Sequence, residues 1–90
     1  MISLLDFKER MSKLRNWSLE VDSIVKDKVF RDFKESMDFV NKVAEIANKH
    51  NHHPSVLINY NTVRMTLTTH EAKGLTLKDF DVAEEIDKLN

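Results

Sequence analysis

Three of the four histidines in this 90-residue chain crowd into His50-Asn51-His52-His53, directly ahead of Pro54, and the fourth is His70. Imidazole is the side chain that gains and loses a proton closest to neutrality, and small environmental differences decide which member of a group holds the proton. Three uses are open to such a group. The histidines can be incidental residues of a surface and a helix end. They can hold a metal, because a three-His set with an open position can activate water. Against that, the chain has no Cys, no His pair four apart on a predicted helix, and only Glu71 as an acid adjacent to the group in sequence. Or they can act as a metal-free acid and base. A reaction that protonates a leaving hydroxyl while removing a proton from a neighbouring nitrogen needs one of each a few Å apart.

Composition narrows what surrounds them. Lys plus Arg number 14 against 15 Asp plus Glu, a formal charge of −1, so the basic footprint of a phosphate-gripping protein is missing and nucleic acid is not the expected partner. Without Cys there is neither a disulfide framework nor thiolate chemistry, which suits the cytoplasm. No apolar run approaches the ~20 residues of a membrane span, and Asp6 interrupts the start too early for a signal peptide. One Gly and one Pro leave no room for a linker, so residues 1–90 read as one domain.

The elements that must position the histidines follow from periodicity. Ser3 and Asp6 form a capping pair ahead of Leu4, Phe7, Met11 and Leu14, predicting a helix over 3–15. Alternation from Trp17 to Val21, a turn at Asp22-Ser23 and a β-branched run over 24–30 predict a hairpin. Asp32 and Glu35 open a helix whose apolar stripe is Phe33, Met37, Val40, Ala44 and Ala47, flanked by Val43 and Ile46. Asn51, which tolerates the left-handed conformation, and Pro54 end it. Gly74 closes a loop, and Thr76 with Asp79 caps a last helix buried through Leu77, Phe80, Ala83, Ile86 and Leu89.

Between those helices, Val56, Ile58 and Tyr60 alternate on even numbers and Val63, Met65 and Leu67 on odd ones. A two-residue turn at Asn61-Thr62 brings all six to one face, with Tyr60 opposite Val63, Ile58 opposite Met65, Val56 opposite Leu67 and, if pairing runs past Pro54, His53 opposite His70. The order helix, two strands, helix, two strands, helix packs most economically as an α+β domain: a four-stranded antiparallel sheet with three helices on one face, its other face or edges free for self-association.

The run His52-His53-Pro54, five residues, Tyr60, nine residues, His70, eight residues, Asp79 closely resembles the signature of the pterin-4a-carbinolamine dehydratases. The likeness extends through Asn59-Tyr60-Asn61, Thr68-Thr69-His70-Glu71 and Gly74-Leu75. The resemblance implies this same fold, a homo-oligomer (dimer or tetramer), and dehydration of 4a-hydroxytetrahydropterin to quinonoid dihydropterin with no cofactor and no metal. By position it implies His52 and His70 as the catalytic acid–base pair and His53 as a catalytic-site residue orienting the pterin. Asn51, Thr68, Thr69 and Glu71 would line the substrate pocket with the three histidines; Pro54, Tyr60 and Asp79 would support it. From the residues themselves, Tyr60 reads as structural, sharing the apolar face with Val56 and Ile58, and Asp79 as a helix cap. One position departs: four before His52, where that family usually carries an ionisable residue, this chain has Asn48, with Glu45 one turn earlier as a conceivable substitute. The departure, and the family's second role as a transcription-factor partner in animals, make a non-catalytic pterin-binding or protein-interaction module the alternative.

Overall fold

A computed structural model of the chain describes residues 2–89. The elements follow the expected order: α1 (Leu4–Ser12), β1 (Ser18–Glu20), β2 (Ser23–Val29), α2 (Phe33–His50), β3 (Ser55–Asn59), β4 (Thr62–Leu67) and α3 (Leu77–Asp87), with a 3-10 turn (His70–Ala72) between β4 and α3. The four strands form one antiparallel sheet in the order β1-β2-β4-β3. Ser3 Oγ accepts the Asp6 N–H at 3.1 Å and Asp32 Oδ1 the Glu35 N–H at 3.0 Å, so the first two helices start where their capping residues place them.

Period-two alternation decides which sheet face the helices cover. Ile24, Val63, Met65 and Leu67 point to one side and are fully buried against Phe39 and Val43 of α2 and Phe80, Val82, Ala83 and Ile86 of α3. Burying each such large side chain contributes roughly 1.5–3 kcal/mol. Phe7 brings α1 onto the same layer, edge-on to Phe80 with centroids 6.0 Å apart. The other face is mixed, carrying Val25, Val29 and Leu57 with polar neighbours, and at its centre Arg64 donates twice to Asp27, at 2.7 and 2.9 Å. The buried line of α2 runs through Ser36, Phe39, Val43 and Ala47 rather than through Phe33 and Ala44, which are exposed. The buried line is thus rotated by about one position from the stripe read in the sequence and takes in Phe39, which that stripe omits and which packs against Phe30 with ring centroids 5.0 Å apart.

Both hairpin turns fall one residue earlier than the alternation suggests. The first is Val21-Asp22, with Val21 at φ 58°. The second is Tyr60-Asn61, giving the pairs Asn59 with Thr62, Ile58 with Val63 and Val56 with Met65. Moving a turn by one residue changes the register by two, which leaves the face of every side chain unaltered and is invisible to a hydrophobic pattern. The Phe30 N–H, donating to the Asn61 carbonyl at 2.7 Å, anchors the second turn where it is. Two expectations are overturned by this. Tyr60 stands in the turn at φ 51° and is 61% exposed, off the apolar face. His53 does not pair with His70, because the β3–β4 ladder stops at Ser55 and Thr66. Beyond Leu67 the chain leaves the sheet: the Thr68 hydroxyl donates to the Asp22 carbonyl at 2.8 Å, and Thr69 bridges to Gly74.

Three charged clasps lock the helices down, one of them Arg10 of α1 on Asp81 and Glu84 of α3, at 2.7 and 3.1 Å. On the covered face, Lys26 Nζ donates to Asp87 Oδ1 at 2.6 Å, where Trp17 Nε1 also donates at 2.9 Å, while the Arg15 N–H reaches Oδ2 at 2.8 Å. Asp87 ends α3, where the helix dipole opposes a carboxylate, and these donors offset that penalty. The remaining clasp is Glu85, which accepts from Lys49 Nζ at 2.6 Å and lies 3.2 Å from His50 Nε2, tying the end of α2 to α3. His50 is thereby turned toward α3. Among the described residues, no helix is long and apolar enough to cross a membrane.

Removing one partner from a buried pair leaves the other charge without compensation, so Asp87→Ala is expected to cost ~3–5 kcal/mol in urea unfolding, whereas Arg64→Ala, which breaks an exposed pair, changes the midpoint little. The hydrogen bond from Lys49 holds the Glu85 carboxyl below its ordinary value of 4.5, against the opposing effect of burial and with His50 adding to it. A depressed carboxyl contributes stability above its unfolded value and loses it as pH falls through the folded one. The melting temperature of Glu85→Gln should therefore lie below that of the parent at neutral pH and converge with it as pH drops below 4.5.

Candidate active site

The end of α2 sets the first histidine. Asn51 adopts the left-handed conformation (φ 50°, ψ 41°), its N–H donating to the Asn48 carbonyl at 3.2 Å while the His52 N–H donates to the Ala47 carbonyl at 3.1 Å. This is a Schellman motif: an asparagine takes the place that glycine usually fills, and the backbone of the next residue is pinned by the helix it leaves. Pro54, half-buried, then carries the chain into β3.

From that fixed origin His52 reaches across to α3, where its Nε2 lies 2.5 Å from Asp79 Oδ1. Asp79 has no exposed surface and His52 little. The second carboxylate oxygen, Oδ2, accepts from the Thr69 hydroxyl at 2.8 Å and from the Thr76 N–H at 3.0 Å. Asp79 thus caps α3, as its spacing from Thr76 predicts, and with its other oxygen holds His52. A buried carboxylate is tolerable only when its lone pairs are used, and here three donors and the N-terminal end of a helix dipole meet it. A carboxylate only accepts, so His52 Nε2 is the donor in this contact.

This contact also gathers the other expected residues. Thr69 precedes His70 directly, so the bond from Thr69 to Asp79 draws the start of the 3-10 turn to the segment that carries His52. Backbone bonds between Thr69 and Gly74, 3.0 and 3.3 Å long, close that turn, and Lys73 rather than Gly74 takes the left-handed conformation (φ 54°). His70 and Glu71 are exposed on it. Glu71 and Thr69, with Ala72 and Thr76, help to line a cavity of about 880 Å³ that extends to Ile2, Ser3 and Asp6 beside α1. His53 turns back toward α2 and places Nε2 2.9 Å from Asn48 Oδ1. Asn48 therefore partners His53 and not His52, and its amide, able to present either a donor or an acceptor, imposes no proton state on the ring.

Three positions lie apart from this cluster in what their side chains do. The Thr68 hydroxyl is spent on the Asp22 carbonyl. His50 belongs to the Glu85 clasp. Tyr60 occupies the opposite end of the β3–β4 hairpin from the histidines, ~17 Å away along a five-residue strand. Conversely, Thr76 reads in sequence only as a cap, yet its backbone and hydroxyl both meet the Asp79–Thr69 pair. The cavity residues at the start of the chain, Ser3 and Asp6, read in sequence only as a helix cap. Among the described residues no group of three or more His, Cys, Asp or Glu is arranged to hold a metal ion.

Comparison with known proteins agrees with this architecture. A family model described as pterin 4 alpha carbinolamine dehydratase matches residues 2–89. A protein of Nostoc sp. named "Putative pterin-4-alpha-carbinolamine dehydratase" is 46% identical over 90 residues, covering 100% of this chain and 97% of its own. One of the same name from Sulfurisphaera tokodaii is 46% identical over 84 residues, 93% of this chain and 90% of its own. Among solved structures, the transcriptional coactivator/pterin dehydratase of Brucella melitensis superposes with a TM-score of 0.87 at 29% identity, covering 94% of this chain and 93% of its own. A pterin dehydratase-like protein described as a RuBisCO assembly factor in the alpha-carboxysome shares the fold, with a TM-score of 0.64 at 16% identity over 82% of this chain and 84% of its own. With a matching model over nearly its whole length, this chain belongs to the pterin-4-alpha-carbinolamine dehydratase family.

Proposed function

We propose that the protein dehydrates 4a-hydroxytetrahydropterins to quinonoid dihydropterins by histidine acid–base catalysis. The observation that carries the reading is His52 held through Nε2 on a fully buried carboxylate, beside the turn that presents His70. In the reaction the C4a–O bond breaks, the departing hydroxyl takes a proton and leaves as water, and the N5 proton is removed as the C4a–N5 double bond forms. Atoms balance with no redox partner. His52 and His70 supply the acid and the base, His53 orients the ring, and Asn51 and Glu71 are carried over as pocket residues, with Thr69 as a cavity wall whose hydroxyl is committed to Asp79 and Thr68 through its backbone, its hydroxyl being committed to Asp22. Asp79 acts on His52 as the carboxylate of a catalytic triad acts on its histidine, setting tautomer and direction without taking the proton itself.

Histidine general acid–base catalysis contributes on the order of 10²- to 10⁴-fold per group. His70→Ala, on an exposed turn, and His52→Gln, whose amide can still donate to Asp79, are each expected to keep the fold and lose at least ~100-fold in kcat for a 4a-hydroxytetrahydropterin, followed spectrophotometrically. Pterin binding without any turnover by the parent protein would favour the alternative, a non-catalytic binding or interaction module. The pairing of Asn48 with His53 supplies a second measurement: a carboxylate at that place favours the charged imidazole, so in Asn48→Asp the His53 ring, followed by NMR, should keep its proton to higher pH than in the parent, while the limbs of the pH–rate profile set by His52 and His70 stay in place. A shifted limb would bring His53 into proton handling. Assembly through the open edges of β1 and β3 forms part of the proposal, with size-exclusion chromatography as its check.

A further inference from the structure

We infer that Thr69 and Thr76 are positioning residues that act through Asp79 to hold the His52 ring in one tautomer, and that the Thr69 hydroxyl serves this purpose in place of touching the substrate. The inference rests on the proposed role of His52 and goes beyond it by assigning how the ring is kept ready.

Hydrogen-bond direction carries the argument. Asp79 Oδ2 accepts from the Thr76 N–H, which can only donate, so a proton on Oδ2 has no place along that line. The Thr69 hydroxyl has a single proton and gives it to the same oxygen at 2.8 Å. Its lone pairs then face Thr76 Oγ1, also at 2.8 Å, and the proton in that contact must come from Thr76. The result is a one-way chain from the Thr76 hydroxyl to the Thr69 hydroxyl to the carboxylate, with His52 Nε2–H donating from the other side. Chains of this kind polarise one another. Thr69 is only 6% exposed and is held by backbone bonds to Gly74 in both directions, so its hydroxyl is delivered from a rigid site with little surface left to offer a ligand. Without that hydroxyl the carboxylate keeps the Thr76 N–H but is free to turn, and the ring it orients turns with it.

The test compares the full-length parent protein with Thr69→Val, which keeps the β-branched shape, Thr69→Ser, which restores the hydroxyl, and Thr76→Val, which removes the outer hydroxyl and spares the N–H to Asp79. Long-range proton–nitrogen NMR of the imidazoles, recorded where the rings are neutral, reads the tautomer, and steady-state kinetics reads kcat and KM. The parent and Thr69→Ser should show His52 protonated on Nε2. Thr69→Val should show a mixture with the Nδ1 form and lose ~10- to 100-fold in kcat with KM nearly constant, and Thr76→Val the same change at smaller amplitude. A raised KM in Thr69→Val with kcat and the His52 tautomer as in the parent makes Thr69 a substrate contact and overturns the inference. If the parent turns over no carbinolamine, the proposed reaction fails, yet the tautomers still decide: identical His52 spectra in the parent and in Thr69→Val sink the positioning role, and a shift in Thr69→Val that Thr69→Ser reverses sustains it.

Discussion

One buried carboxylate constrains the site end of this molecule. Asp79 lies in the first turn of α3 with no exposed surface, and its two oxygens are claimed from three directions: the junction after α2, the turn after β4 and the start of α3 itself. Each segment is irregular backbone that hydrophobic packing alone would leave loosely defined. A desolvated charge does not tolerate loose geometry, because every unmet lone pair is costly. The requirement to satisfy Asp79 therefore orders the same three segments that bear the candidate chemistry, and the helix dipole keeps the charge where it is needed.

Much of this was legible in the sequence because it depends on local chemistry. Ser3 and Asp32 mark helix starts through side chains that reach three residues ahead, and Thr76 through the Asp79 side chain that reaches three residues back to its N–H. Asn51 marks a stop through its tolerance of positive φ. Strand parity revealed which residues of β4 are buried, since alternation depends only on the pleat. What was hidden depends on longer range. Register is one example, for a turn at Asn61-Thr62 and one at Tyr60-Asn61 give the same faces. The hydrogen bond from Phe30, in another hairpin, selects between them. The partnership of Asp79 with His52 is another, because each residue has an adequate local reading without the other.

Positive φ without glycine is a recurrent economy of this chain. Asn16, Val21, Asn51, Tyr60 and Lys73 all occupy that region, and the single glycine does not. Left-handed geometry costs a residue with a Cβ roughly 1–2 kcal/mol, least for Asn. Two of these positions border the site, Asn51 before His52 and Lys73 after the 3-10 turn, and both are closed by backbone hydrogen bonds that hold the conformation in place. The same covalent rigidity that makes these turns unfavourable alone makes them poor hinges once formed, which suits residues that must present side chains at a fixed angle.

The strand order carries a consequence for how the molecule comes into being. The central ladder joins β2 to β4, segments separated in the chain by all of α2 and β3, whereas the hairpins on either side are local. Loop-closure entropy makes that central pairing the late step of assembly, after the hairpins and α2 have shortened the effective distance. His52 lies inside the closed loop and Asp79 beyond it, so their contact spans the docking of two halves that can each acquire local structure first. A nascent or partly unfolded chain would contain every histidine and most of the helix turns and still lack the contact of His52 with Asp79, which forms only once the two halves have docked.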